Sequence, residues 1–368
     1  MIYNQKNMQK QPFIPDKLPL ERLNWDIFIS HIGPANRAVA KLDAFLQSIP
    51  NGKILLSPLT TKEAVLSSKI EGTQATLEEV LKFDANPKEK TEKYEDIQEI
   101  INYRQAMNMA VEELERLPLS ERLIKEIHKV LLIGARGESK NPGNFRTGSV
   151  FIGKKGLGIE GATYIPPEPQ YIPECFSNFE KYIHFEEKDQ IVQLAIIHAQ
   201  FEIIHPFWDG NGRTGRILMP LFLYYKKVLS SPMFYLSEYF ELHRDEYYDY
   251  LQNISKNGDW ESWIKFFLIA VEEQSVKNTE KVQQILNLYE KLKKEIVDIP
   301  TPKNAIKVLD FLFSKPIFDS SDFVKNTNIQ KRSSFNILNY LNNENIISKN
   351  EKERNRTYFF NDLIKIII

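Results

Sequence analysis

The sequence predicts a mainly α-helical protein with one β-hairpin and a separate small domain in its C-terminal part. Three observations lead to this prediction. Apolar residues recur at intervals of three and four over most of the chain up to residue 297. One stretch rich in glycine and proline, 141–169, breaks this pattern and contains the strand-like sequence SVFIG. A polar segment with two prolines, 298–304, then precedes a compact tail in which helix and strand patterns are mixed.

The helical pattern follows an extended arm, the first twenty residues, which is punctuated by prolines. Before the glycine-rich stretch, helices are predicted at 25–47, 61–70, 75–83, 92–116 and 119–132. After it, helices are predicted at 171–184, 189–204, 212–227, 240–257, 260–273 and 275–297. These segments suggest an N-terminal helical region (1–110), a helical core with the hairpin (111–273), a linker helix (274–300) and a tail domain (301–368).

The tail has the order helix, helix, helix and hairpin, which is typical of a winged helix. Its eleven Lys and Arg against seven Asp and Glu make it mildly basic. NIQKRSSFNILNYL would be a recognition helix with Lys331 and Arg332 near its start, and KNEKERNR would be the wing. Two acidic residues dilute the charge of the wing, and Phe335, Leu338 and Leu341 are expected to be core residues. DNA binding and protein docking both remain open for this domain.

The composition is that of an ordinary globular protein. Of 368 residues, 42% are hydrophobic and 26% are charged, and the net charge of −1 gives no overall attraction to nucleic acid or to a membrane. The lone Cys175 excludes an intramolecular disulfide and is expected to be a small buried apolar residue. The N-terminus has no signal-peptide pattern and no apolar run is long enough to span a bilayer, so we expect a cytoplasmic protein without a membrane partner.

Twelve residues, HPFWDGNGRTGR at 205–216, carry most of the chemical information. Their glycines match G-x-G-x-x-G, but a dinucleotide site requires a strand before the motif and an acidic residue about 20 positions after it. The preceding QIVQLAIIHAQFEII has a helical pattern, and the region near 230 offers only LSSPMF. The chain also lacks the G-x-x-x-x-G-K-[ST] pattern of phosphate-binding loops. A Rossmann or P-loop site is therefore not predicted.

The same residues fit a site for a polyphosphate. Glycines allow the backbone N–H groups to converge, and the loop leads into a helix whose N-terminus attracts anions. Arg213 and Arg216 lie three positions apart on that helix, as two guanidinium groups that clamp phosphates would. Asn211 can donate to a phosphate oxygen, whereas Asp209 suits a Mg²⁺ that bridges phosphates. His205 is a candidate general base. This set of groups predicts nucleotide transfer.

The stretch resembles the Fic family motif H-P-F-x-D/E-G-N-G-R-x-x-R at every fixed position. SSKIEGTQATLEEVL (67–81) is similar to the family's inhibitory helix, here placed at about 61–81, and PGNFRTGSVFIG with TYIPPEP is similar to its flap. Residues 247–268 and the winged-helix tail also fit the family's layout. The resemblance implies a Fic-type helical core that transfers AMP from ATP to a Ser, Thr or Tyr hydroxyl of a protein and releases pyrophosphate. The resemblance also implies self-modification and a homodimer.

The resemblance also implies a role for each motif residue. His205 would take the proton of the attacking hydroxyl, and Asp209 would hold Mg²⁺ on the α- and β-phosphates. The nucleotide-binding set would comprise Gly210, Asn211 near the α-phosphate, Gly212, Arg213 at the β/γ end, Thr214, Gly215 and Arg216 on the γ-phosphate. Tyr248 and Leu251 would line the adenine pocket unless they are helical core. The flap residues Phe151, Ile152 and Gly153 would align the target backbone by strand addition.

Within the inhibitory segment, the resemblance assigns Ser67, Glu71 and Gly72 to a brake. Glu71 would pair with Arg216, so that this arginine could not hold the γ-phosphate and the α-phosphate would be misaligned for attack.

Several alternatives remain open. The enzyme could use another nucleotide donor, or remove AMP with Glu71 positioning a water. The Fic-like part could be a sensor for a DNA-binding regulator. A metal hydrolase with His198, His205 and Asp209 is a third, weaker alternative, because no further nitrogen ligand appears at a useful spacing.

Overall fold

The structure is a computed structural model that describes residues 11–87, 92–153, 158–296, 299–350 and 357–368. From residue 11 up to a 3₁₀ turn at Trp25–Ile27 the N-terminal arm has no helix or strand, and the first ten residues of the predicted arm lie outside the described residues. The helices that follow before the glycine-rich segment are α1 (Ile29–Ser48), α2 (Gly52–Leu55), α3 (Ser57–Ile70), α4 (Leu77–Ala85), α5 (Tyr94–Glu113) and α6 (Glu121–Leu131).

The helices after the glycine-rich segment form the rest of the core. They are α7 (Ile172–Ile183), α8 (Gln190–Ile204), α9 (Asn211–Tyr225), α10 (Ser237–Leu242), α11 (Arg244–Asn257) and α12 (Trp260–Glu295). Helix α8 buries almost every side chain, as its nearly continuous apolar sequence predicts, and it packs against α7, α9 and α12. The site loop therefore starts from a deeply buried helix.

The glycine-rich segment forms a short hairpin beside α11. Strands β1 (Ile152–Gly153) and β2 (Ala162–Tyr164) pair antiparallel, with Ile152 opposite Tyr164. The strand is shorter than the predicted SVFIG. Gly153 is crowded by β2, since a Cβ at this position would lie 2.3 Å from the carbonyl oxygen of Gly161. A side chain there would push the two strands apart.

The tail contains α13 (Ala305–Ser314), β3 (Ile317–Asp319), α14 (Ser320–Thr327), α15 (Lys331–Asn343), β4 (Ser348–Lys349), β5 (Thr357–Phe359) and α16 (Asn361–Ile367). The predicted helices and hairpin strands are present, and the structure adds β3 and α16. The three strands form an antiparallel sheet in the order β3-β5-β4. Most of the predicted wing, with Glu351 and Glu353, lies outside the described residues. Leu338 and Leu341 are core residues, but Phe335 is 51% exposed, so its assignment to the core is wrong.

Two predicted helix boundaries are wrong. The segments 260–273 and 275–297 are one helix, α12, because neither glycine nor proline interrupts the sequence between them. The proposed boundary between core and linker therefore falls inside a continuous helix. The segment 240–257 is split at His243, between α10 and α11. The inhibitory segment 61–81 contains two helices, in agreement with the separate helices predicted at 61–70 and 75–83, because Gly72 (φ 99°) ends α3 and a capping box of Thr76 and Glu79 begins α4.

Helix α3 contacts both the helical core and the tail. It packs against α5, α9 and α10, and α13 and α16 of the tail also reach it. Cys175 is half-buried against the core rather than fully buried. In the described part of the chain, none of the helices combines the length and the apolar character that crossing a bilayer requires.

Candidate active site

The site loop connects two buried helices through two residues with left-handed backbone. His205 ends α8 with φ 48°, and its N–H donates to the carbonyl oxygen of Phe201 at 3.0 Å. Gly210 has φ 75° and immediately precedes α9. A positive φ is costly for a histidine, and the neighbouring hydrogen bonds hold it in place. The loop therefore projects the His205 ring and the start of α9 toward the same space.

His205 has the electrostatic character of a base rather than of a cation. Burial and then the charge of the nearby Arg146 lower the pKa of His205 to about 4, although Glu71 opposes the shift. The imidazole is therefore neutral near pH 7 and can accept a proton. Its Nδ1 atom is buried, so Nε2 is the nitrogen that a substrate hydroxyl can approach.

Arg146, in the sequence NFRTG before the flap, is a site residue that the sequence analysis missed. It is only 2% exposed, and its guanidinium donates to three carbonyl oxygens: His205 at 2.8 Å, Gly148 at 3.0 Å and Pro167 at 2.6 Å. The backbone N–H of Arg146 donates to the carbonyl oxygen of Pro206 at 2.9 Å. Arg146 thus ties both ends of the flap to the site loop. An arginine inside a glycine-rich turn was the available signal, because buried arginines require several partners.

Two motif residues assigned to the nucleotide are used by the loop itself. The Oδ1 atom of Asn211 accepts the N–H of Phe207 at 2.9 Å, and its Nδ2 donates to the carbonyl of Phe207 at 2.8 Å. The hydroxyl of Thr214 donates to the carbonyl of Gly210 at 2.8 Å. These bonds fix the shape of the loop. Their occupation makes loop stabilisation the role visible in the structure for both side chains.

A second missed residue, His128 of α6, supports the loop from behind. It is fully buried and stacks on Phe207, with ring centroids 3.7 Å apart and planes 6° apart. Its Nε2 lies 2.8 Å from the carbonyl oxygen of Asp209, and its Nδ1 accepts the N–H of Gly143 at 2.9 Å. Burial lowers the pKa of His128 to about 4, so the ring is neutral. Its place on an amphipathic helix gave no sign of this contact.

Asp209 and Arg213 form the start of a charged chain on α9. Asp209 Oδ1 accepts the N–H of Gly210 at 2.6 Å and a hydrogen bond from Arg213 Nη2 at 3.3 Å, while its side chain remains 43% exposed. Arg213 is only 3% exposed and also lies 3.3 Å from Oε2 of the buried Glu99. Glu99 in turn accepts a hydrogen bond from Thr73, just after the inhibitory motif, at 2.7 Å. Arg213 is thus part of the interior rather than of a solvated face.

Arg216 is held by the predicted brake residues. It is 1% exposed, and its Nε donates to the hydroxyl of Ser67 at 2.8 Å. Its Nη2 donates to the Ser67 carbonyl at 2.9 Å and to Glu71 Oε1 at 2.7 Å. Burial alone would raise the pKa of Glu71, but Arg216, Arg213 and His205 together hold it below its usual value. Glu71 is therefore ionised, and it caps α3 just before the turn at Gly72.

The carboxylate of Glu71 lies over the N-terminus of α9. A Cβ built on Gly212 would be 2.0 Å from Glu71 Oε1. Only glycine at this position leaves room for an anion against the helix end, where the backbone N–H groups and the helix dipole favour negative charge. Gly215 is crowded from the α8 side, where a Cβ would lie 2.7 Å from Glu202 Oε1. The two glycines therefore allow close approach from opposite directions.

Tyr248, Leu251 and Phe151 are among the predicted adenine-pocket and flap residues. Tyr248 is 42% exposed, and burial of its hydroxyl together with Glu71 raises its pKa to about 12. Leu251 is partly buried against the core. Phe151, beside β1, is 47% exposed, so the outer face of the flap is accessible. Tyr248 is linked to the site by the effect of Glu71 on its pKa.

The metal-hydrolase alternative gains no support. The Nε2 atom of His198 lies 3.0 Å from the hydroxyl of Tyr247, and its ring stacks among Phe240 and Trp263. Across the ranges that the structure describes, no group of three His, Cys, Asp or Glu residues is arranged to hold a metal. A magnesium ion does not require such a group, because it is usually bound by one or two carboxylates together with water and substrate phosphates. The partly exposed Asp209 fits that requirement.

Comparisons with known proteins agree with this geometry. The model "Fic/DOC family N-terminal" matches residues 29–112, and the model "Fic/DOC family" matches residues 118–223, so together they cover just over half of the chain. The chain belongs to the Fic/DOC family.

Two curated relatives and two solved structures illustrate the similarity. A probable protein adenylyltransferase of Aquifex aeolicus (strain VF5) is 31% identical over 172 residues, which are 45% of this chain and 48% of that protein. The protein adenylyltransferase Fic of Culex quinquefasciatus is 31% identical over 150 residues, which are 40% of this chain and 26% of that protein. The matches thus span at most about half the length of these relatives.

The solved structures share the fold. A Fic family protein from Desulfovibrio desulfuricans G20 aligns over 95% of this chain and 98% of its own, with a TM-score of 0.58 and 19% identity. Residues 134–508 of Fic-1 from C. elegans align over 72% of this chain and 74% of that chain, with a TM-score of 0.52 and 22% identity.

Proposed function

We propose that this protein transfers AMP from ATP to a Ser, Thr or Tyr hydroxyl of a protein, with release of pyrophosphate, and that Glu71 restrains this activity. The name protein adenylyltransferase, which its curated relatives carry, supports the reaction class. The observation that carries the proposal is the carboxylate of Glu71 over the N-terminus of α9. It marks the loop as an anion site, and phosphate is the anion that such glycine-rich helix starts commonly bind.

In the proposed reaction, the substrate oxygen attacks the α-phosphorus and its proton passes to Nε2 of His205. The bond from the α-phosphorus to the bridging oxygen breaks, and pyrophosphate leaves with the electron pair. Phosphoryl-type transfer depends on placement and on neutralising charge more than on covalent help. The neutral His205, set at the end of a rigid helix, supplies the placement and the base.

The loop supplies the charge. Arg213 has a buried guanidinium nitrogen, Nε, without a hydrogen-bond acceptor among the described residues, and its Nη1 forms a 3.3 Å ion pair with Glu99. Buried donors of this kind are suited to an anionic ligand. Mg²⁺ would be held by Asp209 and would neutralise charge on the phosphates when bound. The N–H groups at the start of α9 would complete the cradle.

The brake acts by competition for Arg216. In the observed arrangement, the guanidinium of Arg216 donates hydrogen bonds to Ser67 and Glu71 of the inhibitory segment. Arg216 in this state cannot hold a γ-phosphate, and the ionised Glu71 repels one. ATP bound beside it would be displaced, and a misplacement of about 1 Å costs on the order of 10²-fold in rate. The proposed protein is therefore an autoinhibited transferase.

The hairpin suggests how a target would dock. The carbonyl oxygens of Thr163 and Ile165, on the outer edge of β2, accept hydrogen bonds from Gln252 at 2.9 Å and from the N–H of Phe13 at 2.9 Å. The outer edge of β2 is thus covered by α11 and by the N-terminal arm. In the described hairpin, no strand pairs with the other edge of β1. A target strand would add there, beside Phe151, Ile152 and Gly153.

Label transfer from α-labelled ATP with Mg²⁺ tests the proposal. Wild type, Glu71→Gly, His205→Ala and the double variant are compared, and Glu78→Gly serves as a matched control that removes an exposed carboxylate of α4. We expect strong labelling in Glu71→Gly, weak labelling in wild type and Glu78→Gly, and none where His205 is replaced. Absence of label in all variants would favour another donor or AMP removal. Removal is then assayed on an AMP-modified protein with wild type and Glu71→Gly.

A second candidate function belongs to the tail. Helices α14 and α15 line a groove of about 780 Å³, and Lys325, Lys331 and Arg332 at its rim form no ion pair with the described residues. This surface favours DNA binding over a purely structural tail. Binding of duplex DNA that falls steeply with salt in wild type, but not in Lys331→Ala/Arg332→Ala, would support it. No binding at low salt would remove it.

A further inference from the structure

The hydrogen bonds of His128 fix which of its nitrogens carries the proton. The N–H of Gly143 lies 2.9 Å from Nδ1, and a backbone N–H can only donate. Nδ1 is therefore an acceptor without a proton. The proton of the ring is on Nε2, which donates to the carbonyl oxygen of Asp209 at 2.8 Å. Stacking against Phe207 at 3.7 Å prevents the ring from turning over.

This bond sets the direction of a whole peptide unit. The peptide between Asp209 and Gly210 is trans and planar, so its C=O and N–H point in opposite directions. When His128 holds the oxygen, the N–H of Gly210 must point away from α6. It points toward the carboxylate of Asp209, with the nitrogen 2.6 Å from Oδ1. A side chain outside the motif thus sets the direction of this N–H and, through it, the position of the Asp209 carboxylate.

We infer that His128 is a positioning residue, which orients the Asp209–Gly210 peptide so that its N–H holds the Asp209 carboxylate toward the nucleotide phosphates. The inference rests on the proposed function for its ligand, but the orientation itself does not. His128 touches neither substrate nor metal and acts through the loop. The same ring holds Gly143, at the base of the segment that carries Arg146, and so joins the loop to the flap.

Two substitutions separate the two hydrogen bonds. His128→Gln places a side-chain amide donor near the position of Nε2, and His128→Asn places a carbonyl oxygen near that of Nδ1. Both are made in the Glu71→Gly background and checked by thermal unfolding. We expect the Gln variant to keep label transfer within several-fold of its parent. The Asn variant should lose about 10²-fold in kcat/KM for ATP, with weaker ATP binding as part of that loss. Equal activity of the two variants would contradict the inference.

Two measurements decide the matter without turnover. The ¹⁵N chemical shifts of His128 in the wild-type protein should show the proton on Nε2, and a proton on Nδ1 would overturn the inference. If the Glu71→Gly parent transfers no label, the proposed function fails by itself. Calorimetry with ATP and Mg²⁺ then compares the same pair of variants. Affinity about tenfold weaker in the Asn variant alone supports the positioning role, and equal affinities refute it.

Discussion

A side chain on Gly212 and the carboxylate of Glu71 would compete for one space, since an ideal Cβ on Gly212 lies 2.0 Å from Glu71 Oε1. This relationship defines the anion site, because whatever lies against the start of α9 must approach the bare backbone of Gly212. It also leads to a prediction for Gly212→Ala, whose effect depends on whether Glu71 alone or also a phosphate occupies this space.

We expect Gly212→Ala to lose label transfer both in wild type and in the Glu71→Gly background. The added methyl group would exclude Glu71, but it would equally exclude a phosphate from the helix N-terminus. Label transfer and calorimetric ATP affinity measure both effects, and thermal unfolding shows whether the variant is folded. Activation by Gly212→Ala alone would mean that only the brake needs this space.

Removing the hydroxyl of Ser67 should weaken the brake only in part. Ser67→Ala loses the bond to Arg216 Nε at 2.8 Å, but the Ser67 carbonyl and Glu71 still hold Nη2. A hydrogen bond to a charged group contributes about 1.5–3 kcal/mol, so self-labelling should rise by about tenfold or more and stay below that of Glu71→Gly. Ser67→Thr keeps the hydroxyl and serves as the control. Labelling at the wild-type rate in Ser67→Ala would argue against a role for this bond.

Arg146 should matter to both stability and turnover. Arg146→Lys cannot reach three carbonyl oxygens from one ammonium group, so buried acceptors lose their partners at about 1–3 kcal/mol each. We expect a clearly lower melting temperature and a loss of about 10²-fold in kcat in the Glu71→Gly background. Arg122→Lys, on the exposed face of α6, is the matched control. An Arg146 variant that is destabilised but fully active would assign this residue to stability alone.

The sequence predicted most helices and the loop because these depend on local patterns. The apolar run of α8 and the glycines of 210–215 carry their meaning within a few residues. The contact between Glu71 and Arg216, 145 positions apart, came only from family resemblance. His128 and Arg146 were missed because their partners are backbone carbonyl oxygens of distant residues. No periodicity encodes such contacts.

The last prediction concerns the buried carboxyl group of Glu63 on α3. It accepts hydrogen bonds from the hydroxyl of Ser237 at 2.5 Å, from its N–H at 3.3 Å and from the Tyr103 hydroxyl at 3.5 Å. Burial raises the pKa of Glu63 to about 7 from 4.5, although Ser237 and the charge of Arg216 oppose the shift. The folded protein therefore holds a proton that the unfolded chain releases between pH 4.5 and pH 7.

Stability from this group is complete below pH 4.5 and is lost as the pH rises through 7. Relative to Glu63→Gln, which cannot ionise, wild type should lose up to about 3 kcal/mol of unfolding free energy across this window. Urea unfolding of both proteins from pH 5 to pH 8 measures the difference, and other titrating groups, including Glu202, cancel because both proteins share them. A difference that does not change with pH would mean that Glu63 is already ionised in the folded protein. The carboxylate of Glu63 would then be a permanent negative charge near Arg216, the arginine that Ser67 and Glu71 hold.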